Sequence, residues 1–251
     1  MLSKNSGICL VSTQDPVDEH LWALVPVKAL TVAKQRLQQY LGPKRGDFAF
    51  AMLNDVLDAL AASKAISRIA IVTADPRVAE LARQRGLLLV EENGKCDMNA
   101  AIALGVEAIR QNGGCRLVII HSDIPLLTGT ELDRLAGIFF DQAGSCAGEK
   151  IGISPSADHG GTNCLFLDAR QAFEFCYGPD SFALHCASAR SRHQEVISLD
   201  SPTVAMDMDE PKDVDELLEF YRQHAEFQHT ETWKFLHNRD RQRPAVIINE
   251  V

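Results

Sequence analysis

Residues 116–127 read RLVIIHSDIPLL: four apolar residues in a row, Leu117 to Ile120, then a histidine, a serine, a single carboxylate and a proline. A strand with one face in water alternates apolar and polar residues. Four apolar residues without alternation imply burial on both faces, as in a parallel sheet covered by helices on either side. The abrupt switch to HSDIP puts polar groups at the carboxyl end of the strand, where such sheets gather their ligands.

Working outward, the same rhythm repeats along the chain. Apolar, β-rich runs at 21–27 (LWALVPV), 68–73, 87–91, 116–121, 150–154, 162–168, 195–199 and 203–207 alternate with helix-period stretches at 45–62, 76–85, 98–111, 129–139, 181–190 and 211–223. The last of these opens on Pro211 with acids beside it, as a helix start should. The pattern predicts an α/β fold of three layers, α/β/α, around a mainly parallel, mixed sheet. It divides the chain into a flexible arm at 1–19, one domain at 20–223 and a C-terminal appendage at 224–251.

Composition narrows the function classes. The 251 residues are 46% hydrophobic and carry a formal net charge of −9, which suits one large globular domain and excludes a general binder of nucleic acid or anionic membrane. An anionic ligand must then meet a local cluster of cations. Seven scattered cysteines, none spaced as CxxC, indicate neither a zinc ribbon nor a disulfide scaffold. Together with an apolar run of only Ile8 to Val11 near the start and no long apolar stretch, they lead to the expectation of a cytoplasmic protein.

Four strand ends carry unusual chemistry. The first, VPVKALTVAKQRL (25–37), follows the strand with Lys28, Lys34 and Arg36 and contains no glycine. We expect a helix there, and its cations suit a triphosphate as well as they suit a solvated helix face. In the second, Asp123 either presents one carboxylate to a metal-nucleotide complex or makes turn hydrogen bonds. In the third, MDMDEPKDVDELL (206–218), Asp207 and Asp209 alternate along an extended stretch and so share a face; they hold a cation between them, or Asp209 caps the next helix. In the fourth, the loops HGGTN (159–163) and YGPDS (177–181) offer backbone N–H groups and the hydroxyls of Thr162 and Ser181 to a carboxylate or phosphate, or are ordinary turns with Ser181 as a helix cap. A smaller feature is Asn99, whose amide suits either a base edge or a cap.

These stretches together resemble the CofC family of 2-phospho-L-lactate guanylyltransferases, within the MobA-like nucleotidyltransferases, over about residues 20–222. VPVKALTVAKQRL, HGGTNCLFL and GPDSFALH are the most specific pieces; DIPLL and DMDEPKDVDELL recur more widely. The resemblance implies a Rossmann-like, GT-A-like nucleotidyltransferase fold acting in coenzyme F420 biosynthesis. It further implies that Pro26, Val27, Lys28 and Asn99 bind GTP, with Lys28, Lys34 and Arg36 on its phosphates. Asp123 with Asp209 or Asp207 would hold Mg²⁺, and Thr162, Gly178 and Ser181 would take the carboxylate end of a small phosphorylated acid. Family members differ over 2-phospholactate, phosphoenolpyruvate and 3-phosphoglycerate as that acid. The chain departs from the family at His121-Ser122, where small residues are usual, and at CDMN (96–99).

The reaction so implied is attack of the acid's phosphate on the α-phosphorus of GTP with loss of pyrophosphate. It needs no general base, because a phosphomonoester is largely ionised at neutral pH, and His159 and His185 have no evident catalytic partner in the sequence. The competing readings are another MobA-like nucleotidyltransferase, a nucleotide-sugar glycosyltransferase, which would want DxD where this chain has HSD, and a nucleotide-binding regulator without chemistry. Trp233, Phe235 and Leu236 of the appendage have three candidate docking partners: the body of the protein, a second copy in a homodimer, or the downstream transferase of the pathway.

Overall fold

The computed structural model describes residues 20–93, 96–143 and 149–242. The arm at 1–19, Cys9, Cys146 and the final PAVIINEV lie outside the described residues. In chain order the elements are β1 (Leu21–Val27), α1 (Gln38–Leu41), α2 (Arg45–Ala62), β2 (Ile66–Thr73), α3 (Pro76–Gln84), β3 (Leu88–Glu91), α4 (Met98–Gln111), β4 (Arg116–Ile120), α5 (Gly129–Ala143), β5 (Lys150–Pro155), β6 (Thr162–Asp168), α6 (Ser181–Ser191), β7 (Glu195–Ser198), α7 (Pro202–Ala205), α8 (Pro211–Gln223) and α9 (Glu231–Gln242).

The strands form one sheet in the order β3-β2-β1-β4-β6-β5-β7. Strands β1 to β4 pair in parallel, β6 runs antiparallel to both β4 and β5, and β7 is parallel to β5. Because β6 runs backwards, its first residues, Thr162 and Asn163, come to the same edge of the sheet as the carboxyl ends of β1 and β4. That reversal brings the HGGTN loop to the HSDIP turn.

Apolar side chains fill both faces. Val25, Ile71, Val118 and Phe166 pack under α2, α3 and α5, while Leu24, Ile119, Leu165 and Leu167 pack under α4 and α6. As the unbroken apolar runs require, β1 is buried along its whole length and β4 along all but its first residue. A third cluster lies outside α2, where Phe48 and Met52 meet Leu217 and Tyr221 of α8 and Leu236 of α9. So α9 docks on the body, with Phe235 against Phe48 at 5.5 Å between ring centroids. The buried Asp55 of α2 accepts the N–H groups of Glu231 and Thr232 at 2.7 and 2.8 Å, and so caps α9 from another helix.

Three local expectations are corrected. The stretch after β1 is not a helix but two 3₁₀ turns, Leu30–Val32 and Gln35–Leu37, separated by Lys34 in the left-handed region at φ 52°. The carbonyls of Thr31 and Ala33, which a helix would bond internally, are taken by the Arg45 guanidinium instead. The run at 203–207 is not a strand: Ser201 caps Val204 N–H at 3.3 Å and Pro202 takes the first helical position, so Pro202–Ala205 turns as a short helix despite Thr203 and Val204. Ser181 is the first residue of α6 rather than its cap, since Asp180 holds that place with φ 57°.

Candidate active site

A cleft of about 920 Å³ opens along the carboxyl ends of β1 and β4 and the start of β6. Its lining includes Pro26, Val27, Lys28, Lys34 and Arg36 from β1 and the stretch after it, Asp123, Asp207 and Asp209, and Thr162, Gly178 and Ser181. Of the residues expected at the site, only Asn99 is absent from its lining.

Lys34 is the hub of the charged part. Its side chain is 8% exposed, and its ammonium donates to Asp123 Oδ2 and, at 2.8 Å, to Asp209 Oδ1. Burial works against a charged lysine, but the two carboxylates outweigh it and hold the ammonium well above its ordinary pKa. Asp123 is held below its ordinary range for the converse reason: Lys34 and His121 offset the cost of burying it. Asp207 receives Asn163 Nδ2 at 3.4 Å; burial and the like charges of Asp123 and Asp209 push it up to about 6. Asp209 does not cap α8, because Glu210 and Asp213 form the capping box there and leave its carboxylate free for Lys34.

The backbone around these groups is tied from behind. Asp75 at the start of α3 accepts Leu30 N–H at 2.8 Å while capping its own helix, and Arg45 clasps the carbonyls of Thr31 and Ala33 and the side chain of Gln38. Gly46 lets α2 approach this loop, since a Cβ there would sit 3.0 Å from Leu30 O. Lys28 and Arg36 are exposed, and Arg36 has only a loose pairing with Glu210 at 3.6 Å. Both can turn toward a ligand, as can the exposed Lys212 of the same lining, 3.5 Å from Glu210.

The residues fit a hard divalent cation. Asp123 and Asp209 already share one positive charge, Asp207 adds a third carboxylate within reach of their fields, and Asp123 Oδ1 is buried with no hydrogen-bond partner among the described residues. No group of three or more His, Cys, Asp or Glu side chains among the described residues is arranged to hold a metal as it stands, for Lys34 lies between two of the acids.

The uncharged part is built from β6 and α6. Thr162 Oγ1 is 3.0 Å from His185 Nδ1 and 3.4 Å from Ser181 Oγ, and all three residues are buried. His185 Nε2 accepts Cys176 N–H at 2.9 Å, and burial, followed by the nearby His121, lowers the imidazole pKa to about 4. Gly178 sits at φ 138°, a conformation costly for any other residue. The Asn99 amide is bonded at both ends to the backbone of one residue, donating to Tyr177 O at 3.1 Å and accepting Tyr177 N–H at 2.7 Å. It clips α4 to the YGPDS loop, so the expectation that it offers its amide to a base edge is not met in this arrangement.

Three residues at the site were missed in the sequence. Arg45 left a signal: a cation in the first turn of a helix opposes the helix dipole and so has business elsewhere. His185 left one too, lying one helical turn beyond Ser181 on the same face. Asp75 left none, reading only as a helix cap before Pro76.

Comparison with known proteins gives a consistent result. Residues 21–237 match the family described as guanylyl transferase CofC like. A phosphoenolpyruvate guanylyltransferase of Sphaerobacter thermophilus is 33% identical over 196 residues, covering 78% of this chain and 91% of that protein. A 2-phospho-L-lactate guanylyltransferase of Methanothermobacter thermautotrophicus is 34% identical over 197 residues, covering 78% and 83%. Among solved structures, a protein of Desulfovibrio desulfuricans G20 assigned as a nucleotide-diphospho-sugar transferase superposes with a TM-score of 0.67 at 20% identity, covering 88% of this chain and 95% of its own. The fold is that of the GT-A-like nucleotidyltransferases.

Proposed function

Because the chain belongs to the CofC-like guanylyl transferase family, we propose that its cleft transfers GMP from GTP to the phosphate of a small phosphorylated carboxylic acid, releasing pyrophosphate, in the cytoplasmic assembly of coenzyme F420. The acid is of the class of phosphoenolpyruvate, 2-phospholactate and 3-phosphoglycerate. The observation that carries this reading is that one cleft is lined by two separately bonded clusters. Lys34 with Asp123 and Asp209 forms one, and Lys28, Arg36 and Asp207 line the same cleft; Thr162 with Ser181 forms the other, and Gly178 lines the cleft as well. The first suits a metal-bound triphosphate, and the second suits a carboxylate.

An oxygen of the acid's phosphate attacks the α-phosphorus of GTP, the new P–O bond forms, and the bond to the β-phosphate oxygen breaks with its electrons going to pyrophosphate. No side chain need remove a proton, because the attacking phosphate is already ionised. The protein's task is to bring two polyanions together and to stabilise charge on the leaving group. Lys28 and Arg36 approach the phosphates from the loop after β1, and Lys34 supplies a third cation from inside the cleft. Asp123 and Asp209, with Asp207 behind them, would hold Mg²⁺. When bound, that ion would offset negative charge on the phosphates. Thr162, with Ser181 and Gly178 lining the pocket beside it, orients the carboxylate so that the far phosphate faces the nucleotide.

The test is pyrophosphate release by purified protein given GTP, ATP or CTP, each crossed with the three acids. Release with GTP and at least one acid is expected; release with no pair, or with GTP alone, overturns the reading.

A further inference from the structure

Between β6 and α6, the stretch 172–177 is tied by side chains from elsewhere in the fold. His185 Nε2 takes the N–H of Cys176, Asn99 takes both the N–H and the C=O of Tyr177, Ser188 Oγ donates to Glu174 O at 3.4 Å and Arg192 Nε donates to Ala172 O at 3.0 Å. Peptides 176 and 177 immediately precede Gly178, whose backbone faces the cleft. The two side chains that fix them come from different helices, α6 and α4. The ring of Tyr177 is packed between them and the metal end of the site, 4.6 Å from His185 and 5.2 Å from His121.

His185 also sets a direction of hydrogen bonding. An imidazole nitrogen that accepts the Cys176 N–H carries no proton, so in the neutral ring the proton is on Nδ1 and is donated to Thr162 Oγ1. Ser181 Oγ donates to the same oxygen. A threonine hydroxyl accepts two hydrogen bonds and donates one. With both acceptor positions taken, the Thr162 proton is turned to the cleft, and Thr162 becomes a donor suited to an anion.

We infer that Asn99 and His185 are positioning residues of the acceptor pocket: Asn99 fixes the Tyr177 peptide ahead of Gly178, and His185 fixes the Thr162 hydroxyl as a donor. The inference rests on the acceptor reading of this part of the cleft. It assigns Asn99 to the acid rather than to the nucleotide base.

Steady-state kinetics on Asn99→Leu, Asn99→Asp, His185→Asn, Thr162→Val and the double variant His185→Asn/Thr162→Val test it. Loss of one such hydrogen bond predicts a KM for the acid raised about tenfold or more, with the KM for GTP within about twofold of wild type and the preference for GTP over ATP unchanged. If Asn99→Leu does not fold, Asn99→Asp, which keeps the shape and one of the two bonds, reads the same division between substrates. In the double variant His185→Asn adds little to Thr162→Val, because it acts through that hydroxyl. A collapse of the GTP preference in Asn99 variants with the acid KM unchanged overturns the assignment, as do multiplicative effects of His185→Asn and Thr162→Val. Wild-type protein inactive with every acid would overturn the acceptor reading itself, and is recognised before any variant is made.

Discussion

Asp123 is where the site is most sensitive to a single atom. It meets Lys34 through one oxygen and leaves the other buried with no hydrogen-bond partner among the described residues, so replacing it by an amide of the same shape removes a charge while preserving packing. Asp123→Asn should lower kcat at least about a hundredfold with an unchanged circular-dichroism spectrum; full activity in the folded variant would remove Asp123 from the mechanism. His185 makes a pH prediction. Its folded-state pKa is depressed to about 4, so its contribution to stability is present above the unfolded value near 6.5 and is lost as pH falls through that window, on the order of 3 kcal/mol. Buried His121 acts with the same sign. Melting temperature should therefore fall between about pH 6.5 and 4, and more shallowly in His185→Asn; equal slopes would show that His185 titrates normally. At this scale the residue types at the site were legible in the sequence, while their partners were not. Lys34 meets acids 89 and 175 positions away, and the Asn99 amide is engaged by a peptide 78 positions away.

At the scale of elements, the unbroken apolar runs were legible because burial on both faces leaves no room for a polar residue. The elements misread were those whose local chemistry outvotes their composition. Thr203 and Val204 favour a strand, but a Ser-Pro start caps and turns the chain first. The stretch after β1 carries helix-forming residues, yet Arg45 captures the carbonyls that a helix would need. That clasp predicts a function for a residue which touches no substrate. Arg45→Met should loosen the loop bearing Lys34 and raise the KM for GTP about tenfold while sparing the KM for the acid, and should speed proteolytic cleavage within residues 30–38. Unaltered cleavage with normal kinetics would mean that the loop holds its shape without Arg45.

For the molecule as a whole, a chain of net charge −9 collects a few cations at one edge of its sheet, and the reversed strand β6 brings the HGGTN loop to that same edge. The C-terminal helix belongs to this structure through a long-range cap. Asp55, buried in α2, satisfies the first N–H groups of α9, so Asp55→Ala should cost about 1–2 kcal/mol in urea denaturation, whereas a change under about 0.3 kcal/mol would mean that apolar packing alone holds the helix. The docking of this helix was not legible, since Trp233, Phe235 and Leu236 read equally well as an interface for another chain. The proposed reaction joins the α-phosphate of GTP to the phosphate of a small acid within one cleft. GTP labelled at its α-phosphorus, incubated with each acid and separated by chromatography, reports that bond. Label is expected in a guanosine diphosphate joined to the acid, with unlabelled pyrophosphate in equal amount; label that stays in free guanosine nucleotides whichever acid is present would rule the reaction out.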